Sequence, residues 1–330
     1  MKLTVSIFLA VVHVLLSTAL AEGIKLHGHR GARWSFPENS LPAFQHALEA
    51  GVDYLELDTG VTRDGVVVIC HDQKLRRNWF RYLNDQQEWE DLPEKELFLH
   101  NLTWPELLRY GCSFPQKPDP DKVVRFPQQA VLPGTRLPAL QELLQLIADS
   151  PLPAAKTVKL NLEIKWNPNT AKETASVEEF VGAVVKVLRE FRGGMFMSRT
   201  VIQCFQDAPL IEVWKQAWEL PRAVLAEFDE EVEPKHWPTE EEMMNRCYTT
   251  GATILSPQYE MKEWKGNLAT KSLRDKTRAA GIELVLWTLN SPDEWEEAYK
   301  LGADAIITDN PDLCARWLDQ KGLRVPAAAR

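Results

Sequence analysis

The chain has 330 residues, 45% hydrophobic and 26% charged, the composition of an ordinary folded protein and not of a disordered or fibrous one. A net charge of −9 offers no basic field to gather phosphates and argues against a nucleic-acid partner. An anionic substrate would need local charge, from a metal ion or from a few placed Arg and Lys side chains.

The N-terminus reads MKLTVSIFLAVVHVLLSTALAEG. Lys2, an apolar run from Leu3 to Leu16 and the small-x-small sequence Ala19-Leu20-Ala21 predict a cleaved signal peptide over 1–21. Thr4, Ser6 and His13 interrupt the run, which falls short of the roughly 20 apolar residues of a spanning helix; an uncleaved membrane anchor is the alternative. Export, periplasmic or secreted, permits disulfides. The cysteines at 70, 112, 204, 247 and 314 are odd in number and hold no CxxC, so buried thiols with at most one or two bridges are expected.

Short β-rich runs then recur at 24–31, 53–58, 158–165, 200–205, 222–228, 252–257, 282–289 and 303–309, with helical patterns between most of them. Ser40 can cap a helix that stops at Gly51, Ser291 to Glu294 is a capping box with Pro292 at the first position, and Gly281 and Gly302 end two more helices. The alternation implies parallel βα units. The run GVVVICHD is set apart: Asp64-Gly65 between β-branched stretches signals a short-turn hairpin, so Val66 to His71 should run antiparallel to Tyr54 to Thr62. Eight βα units predict a closed (β/α)₈ TIM barrel over 22–320, with its chemistry at the C-terminal strand ends.

From about 73 to 136 the rhythm breaks into a Pro-dense, aromatic-rich stretch, an inserted subdomain after strand two, over the barrel mouth. Its aromatics are expected to form a small core, with contact to a lipid surface the alternative. Within it Thr103 and Glu106 form the box of a short helix, and Asn101-Leu102-Thr103 is a glycosylation sequon. Residues 321–330 read as a loose tail.

Glu56 and Asp58 are i and i+2 on one strand, so both carboxylates share a face. Side by side they repel and call for a cation; all-oxygen ligands suit Mg²⁺ or Ca²⁺ over zinc. The pair alone reads as a solvated strand end, but Glu163 ends the next barrel strand and adds a third carboxylate, with Lys165 on the same face. His29 and Arg30 end the first strand, and His71 returns on the hairpin, so two imidazoles can flank the acids as general acid and base. Arg30 offers a forked donor for a phosphate. Asp72 is a turn cap or a catalytic part. Cys70-His71-Asp72 is no thiol triad, because strand neighbours point to opposite faces. Trp287 and Asn290 can line the mouth, core packing being equally open for the Trp; His27 reads as a core residue, and His46 and His100 have no evident partner.

These residues resemble a known family. GHRG, PENS, LELD, DG…CHD, LEIK, WTLN and GADAIITDNPD, in this order, are similar to the motifs of the glycerophosphodiester phosphodiesterases, over roughly Ile24 to Leu318. The resemblance implies a TIM barrel with a small inserted domain, a divalent cation, Ca²⁺ or Mg²⁺, and hydrolysis of glycerophosphodiesters to an alcohol and sn-glycerol 3-phosphate. It assigns catalysis to His29 and His71, phosphate contact to Arg30 and the metal to Glu56, Asp58 and Glu163. The family's motif lysine falls on Lys165, and Glu38, in the PEN position, would orient a histidine or a substrate hydroxyl. Ser40 after PEN and the continuation DTGVT are departures that remove no functional group. A lysophospholipase D and a non-catalytic phospholipid-binding barrel are the competing readings.

Overall fold

The structure, a computed structural model, describes residues 23–76, 80–92, 96–112, 126–132, 134–170, 172–228, 238–259 and 268–324. The expected signal peptide, Trp79, Phe114 and the last six residues of the tail lie outside them.

The buried apolar runs form strands, and the strands close a ring. Among them β1 (Lys25–Gly28), β2 (Tyr54–Val61), β3 (Val67–Ile69), β4 (Phe80–Leu83), β5 (Trp89–Asp91), β6 (Tyr110–Cys112), β7 (Thr135–Arg136), β8 (Lys159–Ile164), β9 (Thr200–Cys204), β10 (Arg222–Ala226), β11 (Ile254–Pro257), β12 (Glu283–Leu286) and β13 (Ala305–Thr308) follow in chain order. Parallel pairing runs β1-β13-β12-β11-β10-β9-β8-β2, and β2 pairs back to β1. This is the closed (β/α)₈ barrel. Helices cover it with one apolar face each: Phe180, Val181, Val184, Val185 and Leu188 of Val177–Glu190 are all buried, each contributing roughly 1.5–3 kcal/mol. Helix starts follow local chemistry, Ser40 capping Leu41–Glu49 and Ser291 with Glu294 boxing Pro292–Leu301.

The hairpin pairs antiparallel as its sequence requires, Thr59 opposite Ile69 and Val61 opposite Val67. Its loop is three residues long: Gly65 N–H donates to the Thr62 carbonyl, and Gly65 takes φ +81°. That is a type I turn with a left-handed glycine, not a two-residue turn. A separate four-stranded sheet, β5-β4-β6-β7, follows. Its core is mainly aliphatic (Leu75, Leu92, Leu99, Leu107, Leu137), with Phe80 buried and Tyr82, Trp104 and Tyr110 packed on its edge. Thr103 and Glu106 box the helix Trp104–Leu107.

The chain end is tied down as far as Arg324, whose guanidinium donates to the carbonyls of Ala50 and Gly51, while Ile24 N–H donates to Leu323. Cys70, Cys204, Cys247 and Cys314 are buried thiols. Among the described residues no helix is long and apolar enough to cross a membrane.

Candidate active site

Strand register assembles the acids. Asp58 on β2 lies directly beside Glu163 on β8, and Glu56 shares the Asp58 face. One oxygen from each of Glu56, Asp58 and Glu163 falls within 4.8 Å of the others, and all three side chains are buried. The site is a cavity of about 520 Å³ at the strand C-termini, lined among others by His29, Arg30, Glu56, His71, Glu163, Lys165 and Trp287.

The turn after β1 delivers two more groups. Arg30 and Gly31 are both left-handed, at φ 50° and 83°, and this reversal lets Arg30 N–H donate to Glu56 Oε2 at 2.8 Å. The Arg30 side chain meets Glu38 at 2.6 Å and Asp58 at 3.1 Å. A Cβ on Gly31 would come within 2.7 Å of the Ala43 backbone, where nothing can yield. Gly31→Ala is therefore expected to destabilise the protein by about 2–4 kcal/mol, combining left-handed strain with overpacking, read from a urea midpoint.

The two histidines are each held by an aspartate. His29 Nδ1 is 2.6 Å from Asp309 Oδ1, leaving Nε2 facing Glu56 at 3.9 Å. His71 Nδ1 is 2.8 Å from Asp72 Oδ1, and Asp72 also accepts from Arg76. Asp72 thus orients the histidine and closes a local turn at once. Lys165 Nζ reaches Glu163 at 2.9 Å and Asp58 at 3.5 Å. Asn39 donates to Asp58 at 2.8 Å and Gln203 to Glu56 at 2.9 Å. Glu38 turns both oxygens to guanidinium groups, Arg30 at 2.6 Å and Arg33 at 3.0 Å, so it orients arginines and not an imidazole. Trp287 lines the cavity, its indole donating to the Ser256 carbonyl and packing edge-on to Phe205. His27 stacks on Tyr54 inside the barrel, His46 meets Asp312 on the outside, and neither lines the cavity.

Burial and mutual repulsion dominate the electrostatics. Burial, with the charges of Asp58 and Glu163, pushes the Glu56 carboxyl well above the usual range. Burial, only partly offset by Lys165, pushes Glu163 up to about 7. For Asp58 burial is outweighed by Arg30, His71 and Lys165, which hold it well below the usual value. Burial lowers His29 to about 4 despite Asp309, which keeps the ring neutral.

Comparison with known proteins places this geometry. A model of the glycerophosphoryl diester phosphodiesterase family matches residues 29–313. The chain belongs to this family. Members are phosphodiester hydrolases, and the barrel mouth is their place of chemistry. A glycerophosphodiester phosphodiesterase of Caldanaerobacter subterraneus subsp. tengcongensis is 26% identical, over 89% of this chain and 97% of its own. A lysophospholipase D of Rattus norvegicus is 27% identical, over 88% and 85%. A crystal structure of a putative glycerophosphoryl diester phosphodiesterase from Silicibacter pomeroyi superposes with a TM-score of 0.76 at 30% identity, covering 93% of this chain and 96% of that one.

The sequence reading missed Asp309, Asn39, Gln203 and Arg33. Each is a polar residue at a barrel strand end or in the first loop, and Asp309 reaches His29 from 280 residues away. The readable signal was position: Asp309 follows the last strand as His29 follows the first, and those strands are neighbours in a closed barrel.

Proposed function

We propose that the chain hydrolyses glycerophosphodiesters to an alcohol and sn-glycerol 3-phosphate, with His29 and His71 as the general acid and base. The reading rests on one observation: three buried carboxylates cluster within 4.8 Å of one another, and two of them, Glu56 and Glu163, line the same cavity as two aspartate-held imidazoles.

The donor set fits a hard divalent ion. Glu38, Glu56, Asp58, Glu163 and Asp309 face the cations Arg30, Arg33 and Lys165. With all of these ionised, negative charge exceeds positive by two, the charge of one Ca²⁺ or Mg²⁺. Glu56, Asp58 and Glu163 would hold it, and it would supply neutralisation of the phosphate oxygens.

The chain's own groups do the rest. Arg30 and Lys165 present N–H groups to the phosphodiester. One imidazole takes the proton from the nucleophile, water or the glycerol hydroxyl vicinal to phosphate, as the new O–P bond forms. The other protonates the alkoxide as the old P–O bond breaks. Attack by the internal hydroxyl would give a cyclic phosphate first, and ¹⁸O-water labelling under trapping conditions separates the two routes, because the trapped cyclic phosphate carries no label from water. The N-terminal segment would send the chain out of the cytoplasm.

Lysophospholipase D action is the second reading, favoured by the rat relative. An acyl chain would need an apolar surface over the mouth. Among the described residues of the insertion, Phe80 and Phe126 are buried and Tyr82, Trp104 and Tyr110 pack on its core, which leaves half-buried Phe98 and Trp89, 39% exposed, as the aromatics available for lipid contact. The test is turnover of glycerophosphocholine and of lysophosphatidylcholine, with and without chelator. Preferred, chelator-sensitive cleavage of the first is expected; preference for the second would replace this reading, and chelator-resistant turnover would remove the metal from it.

A further inference from the structure

Beyond the groups facing the cavity, one chain of hydrogen bonds runs behind His29. The register of β1 on β13 sets Gly28 beside Thr308, so the next residues, His29 and Asp309, fall side by side at the strand ends, and His29 N–H donates to the Thr308 carbonyl at 2.9 Å. Asp309 is fully buried. Its Oδ1 meets His29 Nδ1 at 2.6 Å and its Oδ2 accepts from Asn290 Nδ2 at 2.8 Å. Asn290 Oδ1 in turn accepts from the Asp309 N–H at 2.8 Å and from Thr308 Oγ1 at 3.2 Å. The Asn290 backbone N–H is held by Glu294, the residue that boxes the helix Pro292–Leu301. Arg33 Nε approaches Oδ1 from the other side at 3.6 Å.

We propose that Asp309, locked by Asn290, is the positioning residue of His29: it fixes the proton on Nδ1 and aims Nε2 into the cavity. The two Asn290 bonds grip Asp309 at both its backbone and its carboxylate, so the carboxylate cannot rotate away from the imidazole. A carboxylate in this place selects the Nδ1–H tautomer, because an acceptor with no proton of its own can only receive. It also stabilises the imidazolium that forms when Nε2 gains a proton. Asp309 is not among the residues that line the cavity, so it would act through His29. The inference rests on His29 being catalytic and adds to that reading.

The variants are Asp309→Asn, Asn290→Ala and His29→Ala, with each of the first two also combined with the third. Asp309→Asn offers Nδ1 an amide that can present either a donor or an acceptor, and kcat is expected to fall about 10²- to 10⁴-fold. KM and the thermal response to calcium should stay within about threefold of the parent. Asn290→Ala keeps the carboxylate and removes its lock, with an expected fall of about tenfold. The decisive readout is the cycle: in the His29→Ala background neither change should lower the residual rate further, since residues acting as one unit are not additive. A merely structural role would multiply the two losses. Asp309→Asn with near-parental kcat, or losses that multiply in the double variants, overturns the proposal. Should Asp309→Asn fail to fold, the Asn290→Ala cycle decides alone. A fully active His29→Ala would instead sink the catalytic reading beneath it.

Discussion

Replacing His29 with alanine is expected to lower kcat about 10²- to 10⁴-fold, the range for loss of a positioned acid or base, while KM changes little. The loss should come without collapse of the fold, because His29 sits at the strand end, its side chain 12% exposed, and not in the apolar core. Removing the ring deprives Asp309 Oδ1 of its imidazole partner, so His29→Gln, which keeps a side-chain N–H, is the better matched companion. His71→Ala should lose turnover by a similar factor. The two are distinguished by the leaving group. A glycerophosphodiester of p-nitrophenol departs without a proton, so the variant lacking the acid recovers most of its rate on that substrate and the variant lacking the base does not. Near-parental turnover by either alanine variant on a glycerophosphoalkanol would end the acid–base scheme.

Much of the barrel was legible because its rules are local. Alternation of β-branched runs with capped helices announced parallel βα units, and Asp64-Gly65 announced the one strand that had to be excluded. The acids at 56, 58 and 163 were legible for the same reason: strand periodicity fixes which residues share a face, and neighbouring staves bring strand ends together. What stayed hidden depends on register between distant strands. Asp309 reads in sequence as the residue before a helix cap, and only the pairing of Gly28 with Thr308 puts it against His29. Gln203 is one polar residue in a β-run, and only the register that sets it beside Glu163 lets its amide hold Glu56. Glu38 was readable as important through its motif, but its partner was not: nothing local shows that Arg30 and Arg33 converge on it. The hairpin was legible from Asp64-Gly65 but its loop length was not: the sequence fits a two-residue or a three-residue turn, and the pairing of Val61 with Val67 decides.

The trio of carboxylates makes a second large effect, of opposite sign for stability and for activity. Glu163→Gln keeps an amide oxygen for Lys165, which now bonds Glu163 Oε1 at 2.9 Å, and deletes one of three crowded negative charges. In chelator the variant is expected to be more stable than the parent by about 1–3 kcal/mol at pH 8. The sign follows from linkage. Glu163 ionises near 4.5 when unfolded and at about 7 when folded, so folding opposes its ionisation, and the parent loses stability as pH rises between those values. The gap between variant and parent should therefore be small at pH 5, open through pH 7 and stay level above it. Taking the difference removes His27, His29 and His71, which burial pushes the other way in the same window. With calcium or magnesium present the order reverses: the parent gains stability on binding, as any ligand of the native state confers, and the variant, one anionic ligand short, gains little and turns over poorly. Thermal melts at pH 5 and pH 8, with and without metal, read all four corners. A Glu163→Gln protein that melts below the parent in chelator at pH 8 yet responds fully to calcium would mean that the cation is held somewhere other than between these three acids.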